Sequence, residues 1–193
     1  MMQELEIERK NLLTKDEYNH LITGLSLSDV TPKKQRNHYF ETADFQLKQT
    51  GSALRIREKN GAFVLTLKQP QGDGLLETHE PLTKQEANQL IANNGTIKPA
   101  IETRIKALGV PIEALVFGGT LETNRIEVNQ DGVLVVLDES HYLGQVDYEL
   151  EIEGPSLKVT EARLDGLLTR FSITKKETPN KIARFYSALN NVS

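Results

Sequence analysis

Glu4-Leu5-Glu6-Ile7-Glu8-Arg9-Lys10 and, far downstream, Asp147-Tyr148-Glu149-Leu150-Glu151-Ile152-Glu153 share one pattern. In an extended strand successive side chains point to opposite faces. Glu4, Glu6, Glu8 and Lys10 therefore line one face, as do Asp147, Glu149, Glu151 and Glu153 on the second strand. Leu5 and Ile7, then Tyr148, Leu150 and Ile152, line the other. Carboxylates stacked this densely repel one another, so a cationic partner is expected. Hard divalent ions such as Mg2+ or Mn2+ take oxygen ligands and are the leading candidates. A solvated strand face decorated with Glu and Lys accounts for one such run; two in one chain favour a site.

The same alternation marks strand candidates at 3–10, 35–42, 52–59, 61–69, 74–82, 114–130, 132–140 and 143–154. Asn60-Gly61 and Asp131-Gly132 are hairpin turns by composition. An antiparallel sheet or barrel of about eight strands follows. Helices punctuate it. Thr14 with Glu17, and Thr83 with Glu86, form capping boxes ahead of the apolar stripes Tyr18, Leu21, Ile22, Leu25 and Ala87, Leu90, Ile91. A third stripe is Leu164, Leu167, Leu168 and Phe171. A last helix is expected with Thr178 as N-cap and Pro179 as its first residue, presenting Ile182, Phe185, Tyr186 and Leu189. Such helices cover the apolar strand faces, which leaves the polar faces to bulk solvent in an open sheet or to a hydrated lumen in a barrel. Periodicity leaves both open. Residues 93–113, with Gly95, Pro99, Gly109 and Pro111, read as a boundary between two halves of one domain spanning 1–193.

The chain has 193 residues, 38% of them hydrophobic, enough to bury a core unaided. A net charge of −4 argues against a general binder of nucleic acid polymers. The absence of cysteine excludes disulfides, thiolate metal sites and cysteine nucleophiles. No apolar run approaches bilayer length and the N-terminus does not read as a signal peptide, so a cytoplasmic protein without membrane contact is expected. Oligomeric state leaves no mark on the sequence.

The polar strand faces carry cations as well. Arg55 and Arg57 alternate on one strand, and arginine suits bidentate binding of phosphate oxygens. Lys68 lies on the polar side of the next strand; Glu77 with His79 and Thr123 with Arg125 share faces, and Asp138 ends the run Val133–Leu137. Each alone reads as a surface residue. Together, acids for a cation and cations for phosphates are what a metal-polyphosphate complex requires. No Gly-rich phosphate loop is present, and His20, His38, His79 and His141 lack metal-ligand spacing. His79 by itself reads as a satisfied polar residue.

Glu6-x-Glu8-x-Lys10, Arg55-x-Arg57, Lys68 after Thr66-Leu67, Arg125, Asp138 and Glu149-x-Glu151-x-Glu153, in this order over nearly the whole chain, resemble the CYTH or triphosphate tunnel metalloenzyme superfamily, and bacterial CYTH-domain proteins in particular. The resemblance implies an α+β fold: an eight-stranded antiparallel β-barrel open as a tunnel, with helices packed outside and a C-terminal helix near the tunnel. It implies Glu6, Glu8, Glu151 and Glu153 as metal ligands, with Asp138 and Glu149 nearby, and Mg2+ or Mn2+ as cofactor. Lys10, Arg55, Arg57, Lys68 and Arg125 would bind the phosphates. Lys181 matches the lysine of a Ser-Lys pair on the family's last helix, the serine position being Asn180, and Glu77 matches an acidic position of the fifth strand. The expected function is a metal-dependent hydrolase of tripolyphosphate or a related small triphosphate, with Glu151, Glu153 and Lys10 as catalytic residues. A class IV-like adenylyl cyclase and a non-catalytic polyphosphate- or nucleotide-binding module are the alternatives.

Overall fold

The computed structural model describes residues 1–192. In chain order it contains β1 (Met2–Glu6), β2 (Glu8–Leu13), α1 (Lys15–Gly24), β3 (Lys33–Glu41), α2 (Gln46–Gln49), β4 (Ala53–Lys59), β5 (Ala62–Gln71), β6 (Gly74–Leu82), α3 (Lys84–Ile91), α4 (Pro99–Ala107), β7 (Val116–Gln130), β8 (Val133–Tyr142), β9 (Gln145–Glu153), α5 (Leu157–Arg170) and α6 (Lys181–Val192). The chain divides into two compact units, Met1–Leu5 with Gln35–Leu121 and Glu6–Lys34 with Glu122–Ser193. Strand order is β1-β6-β5-β4-β3-β7 in the first and β7-β8-β9-β2 in the second. Residues 116–121 of β7 belong to the first unit and 122–130 to the second. The divisions fall inside or between strands, and residues 93–113 lie wholly within the first unit.

The fold is an antiparallel sheet architecture with helices packed on it, as expected, but with nine strands among the described residues rather than eight. The extra one arises at Ile7. β1 is hydrogen-bonded beside β6 and β2 beside β9, so the run expected as one strand over 3–10 is two strands. Alternation continues through Ile7 unchanged, and a change of partner leaves no trace in it.

In the second unit Leu13, Ile126, Val135, Leu137, Leu150 and Ile152 form one sheet face. Tyr18 and Leu21 of α1 with its C-cap Leu25, and Leu164, Leu167 and Leu168 of α5 with its C-cap Phe171, cover it. In the first unit Leu54, Ile56, Leu65 and Leu67 lie under Leu47 of α2, Ala87 and Leu90 of α3, and Ile101 and Ile105 of α4. Each buried leucine or isoleucine contributes about 1.5–3 kcal/mol relative to exposure. With one face sealed in each unit, the opposite residues of every strand are left as the polar face.

Local chemistry sets the ends. Thr14 and Thr83 each accept from the backbone of the N3 residue, while Glu17 and Glu86 return to the cap backbone. Asn60 and Gly61, and Asp131 and Gly132, all have positive φ, the signature of a tight hairpin turn. The short α2 went unpredicted: its first N–H, that of Gln46, goes to Thr42 Oγ1 at 2.9 Å, and the buried Glu41 carboxylate accepts from Leu47 and Lys48 at 2.9 Å each. α6 begins at Lys181, later than expected, because Thr178 does not cap it. The Thr178 hydroxyl instead accepts from the Leu12 backbone N–H at 2.9 Å and donates to the Lys176 carbonyl at 3.1 Å.

Candidate functional site

The polar face of the second unit is built by strand register. Across β2 and β9, Glu8 stands opposite Glu153 and Lys10 opposite Glu151. Asp138 of β8 stands opposite Glu149, and Arg125 of β7 opposite Asp138. Four strands thus deliver their charged residues to the same side. Arg125 donates through Nε to Asp138 Oδ1 at 2.8 Å and through Nη2 to Asp138 Oδ2 at 2.6 Å and Glu151 Oε2 at 2.7 Å. Lys181, the first residue of α6, reaches Glu151 Oε1 at 2.5 Å, Glu149 Oε1 at 2.6 Å and Asp138 Oδ2 at 2.9 Å. Lys10 pairs with Glu8 at 2.6 Å.

These contacts sort the acids. Burial raises the carboxyl pKa of Asp138 and Glu151, but Arg125 and Lys181 outweigh it, leaving Asp138 below and Glu151 well below the usual range. Burial pushes Glu149 up to about 7 against the pull of Lys181 and Arg184. Glu153 is also pushed up to about 7, first by burial and then by the negative charges of Glu6, Glu151 and Glu8, with Arg125 opposing. Asp138 and Glu151 are therefore held ionised by protein cations, whereas Glu149 and Glu153 both resist ionisation. Glu153 differs from Glu149 in its neighbours: Glu149 meets Lys181 and Arg184, while Glu153 lies among the acids Glu6, Glu8 and Glu151.

Arg184 was not anticipated. It donates through Nε to Asp147 Oδ2 at 2.9 Å, its Nη1 lies 2.6 Å from Glu149 Oε2, and Tyr142 donates to Asp147 at 2.7 Å. The signal was present: Arg184 follows Lys181 by three positions, which puts both on one side of α6, and Asp147 precedes Glu149 by two on a strand.

The first unit carries the other charged set. Arg55 lies opposite Thr66 across β4 and β5, and Lys68 opposite Glu77 across β5 and β6. Glu77, only 3% exposed, holds Lys68 in an ion pair and has Arg55 Nη2 3.7 Å away. Arg57 Nε donates to Asn37 Oδ1 at 3.3 Å. Thr66 and His79, paired across the same strands, are hydrogen-bonded at 2.9 Å, and His79 also meets Glu4. The expected phosphate ligands Arg55, Arg57 and Lys68 thus share one face, as their parity required.

The model of the CYTH domain family matches residues 4–186. YjbK of Bacillus subtilis (strain 168), named as a candidate triphosphatase, is 44% identical over 186 residues, 96% of each chain. The crystal structure of a Bacillus halodurans protein described as a candidate adenylate cyclase is 45% identical, with a TM-score of 0.91 over 96% of this chain and all of that one. HpAC1 of Hippeastrum, described as a candidate adenylyl cyclase with a dominant triphosphatase activity, is 26% identical, with a TM-score of 0.75 over 96% of each chain.

Proposed function

Because the chain belongs to the CYTH domain family, we propose that it is a divalent-metal-dependent hydrolase acting on tripolyphosphate or a related small triphosphate. The observation that carries this reading is the convergence of acids on one strand face: Glu8, Asp138, Glu149, Glu151 and Glu153 share it, and Glu153 is pushed up to about 7 by burial and by Glu6, Glu151 and Glu8. A protein that only bound anions would gain nothing from acids so placed. The naming of YjbK and the activity described for HpAC1 support the same class of reaction.

In this reading Glu6, Glu8 and Glu153 would hold Mg2+ or Mn2+, which when bound neutralises phosphate charge. Arg55, Arg57, Lys68 and Lys10 bind and orient phosphate oxygens, the electrostatic work that phosphoryl transfer chiefly demands. Asp138 and Glu149, with Glu151, fix Arg125 and Lys181 by charged hydrogen bonds, so both cations stay charged and positioned. Of the two carboxylates at the end of β9, Glu153 is the better proton acceptor. Glu151 is locked between Arg125 and Lys181, whereas Glu153 has a second oxygen to offer beside the one that would hold the metal. Water attacks the terminal phosphorus as its proton passes to the Glu153 carboxylate, the bridging P–O bond breaks, and pyrophosphate leaves with orthophosphate as co-product.

The test is kcat/KM for tripolyphosphate and ATP with Mg2+ or Mn2+, with products separated. Tripolyphosphate should be cleaved to pyrophosphate and orthophosphate at least as efficiently as ATP is hydrolysed, and Arg57→Ala should weaken both by roughly tenfold to a hundredfold, the worth of a charged hydrogen bond. Cyclic AMP as the main product from ATP, with tripolyphosphate unreacted, would make the protein a cyclase; binding of both without turnover would make it a sensor.

A further inference from the structure

Where β1 runs beside β6, Glu4, Glu77 and His79 each present one ligand atom within 4.8 Å of the others. His79 Nε2 lies 3.0 Å from Glu4 Oε1 and 3.3 Å from Glu77 Oε2. Two donors bound about 2.1 Å from one cation are separated by about 3.0 Å at a right angle and about 3.4 Å at the tetrahedral angle. Both separations match the edges of a coordination shell. The ligands are also aimed from behind. Thr66 Oγ1 holds His79 Nδ1 at 2.9 Å, which leaves Nε2 facing the two carboxylates. Glu77 turns Oε1 toward Lys68 and Arg55 and Oε2 toward His79. Such supporting contacts orient the groups that bind metal directly in known centres.

We propose that Glu4, Glu77 and His79 form a binding site for a transition-metal cation of the Zn2+ or Mn2+ class, made entirely of first-unit residues. The imidazole nitrogen sets its preference, because a mixed nitrogen and oxygen donor set favours such ions over Mg2+, which takes oxygen ligands. Three protein ligands leave coordination positions open. The bound ion ties β1, which supplies Glu4, to β6, which supplies the other two. The competing account of the same geometry is a His79 ring held between two carboxylates with no metal.

The experiment uses the full chain, stripped with chelator and desalted, then titrated separately with Zn2+, Mn2+ and Mg2+ while bound equivalents and melting temperature are read. Wild type should take up one more Zn2+ equivalent than His79→Gln, and Glu4→Gln should weaken that equivalent by tenfold or more. Thr66→Val should weaken it by about tenfold to a hundredfold, the range for a supporting partner. Mg2+ uptake should be the same in wild type and His79→Gln. Glu4 is 59% exposed in its side chain, so its variant keeps the fold even where changes at His79 disturb it. Wild-type melting should rise with Zn2+ and that of Glu4→Gln should not. Equal Zn2+ stoichiometry and affinity in wild type, His79→Gln and Glu4→Gln would overturn the site and leave a metal-free His79–carboxylate cluster. Zinc uptake does not require turnover, so this proposal and the triphosphatase reading fail separately.

Discussion

Burial and acidic neighbours make the Glu153 carboxyl costly to ionise in the folded chain. Its folded pKa, about 7, lies above the ordinary carboxyl value of 4.5. The folded state therefore holds the proton more tightly than the unfolded chain. That contribution is complete below 4.5 and is lost as pH rises through 7. In chelator near pH 8, Glu153→Gln should therefore be more stable than wild type by on the order of 2 kcal/mol and melt higher, with little difference near pH 5. The same variant should lose Mg2+ or Mn2+ affinity by direct titration. A lower melting temperature than wild type at pH 8 would show that Glu153 is already neutralised by the protein. Parity alone put Glu149, Glu151 and Glu153 on one face, and Arg55 with Arg57 on another. Which of the acids are spent on protein cations was not legible, because Lys181 and Arg125 reach them from elements distant in sequence. Lys181 itself came from the family resemblance, and Arg184 from neither.

Elements show the same division between local and distant causes. The capping boxes at Thr14 and Thr83 were legible because all their partners lie within three residues. Thr83→Ala should lower stability by about 1 kcal/mol, or roughly 2–4 °C in Tm for a chain of this size, with no change in kcat/KM. The Glu86 carboxyl, held down to about 2 by Lys98 and the Thr83 cap, should keep this helix end formed well into acid. Its pKa is depressed, so the contribution is present above the unfolded value and lost only as pH falls toward 2. Thr178 reads equally well as a cap, yet its hydroxyl serves Leu12, a partner 166 positions away. The end of α1 fits against Phe171 for a reason composition hides: a Cβ on Gly24 would lie 2.2 Å from the Phe171 ring. Gly24→Ala should therefore destabilise although alanine favours helix, and a Tm at or above wild type would show that Phe171 moves aside freely.

For the molecule as a whole, a net charge of −4 sits against the anionic substrate proposed, and the first unit's Arg55, Arg57 and Lys68 must offset it locally. Attraction over that distance is screened within about 8 Å at physiological salt. The kcat/KM for tripolyphosphate should fall severalfold as KCl rises, while kcat at saturation changes little; an unchanged kcat/KM would argue against steering by these residues. The helix-covered antiparallel fold was legible from end to end, but the strand count was not, since the partner change at Ile7 is invisible to periodicity. That single residue has a kinetic meaning. Glu8 pairs with Glu153, and the Ile7 carbonyl accepts from the Gly154 N–H at 3.1 Å, so strands adjacent in space are separated by most of the chain. Closing so long a loop is an entropic barrier that no local contact lowers in advance. The second unit can complete its acidic face only after β9 has found β2, which makes that docking a candidate for the slow step of folding. Until that pairing forms, helices and hairpins can stand while the acidic face of the second unit stays incomplete.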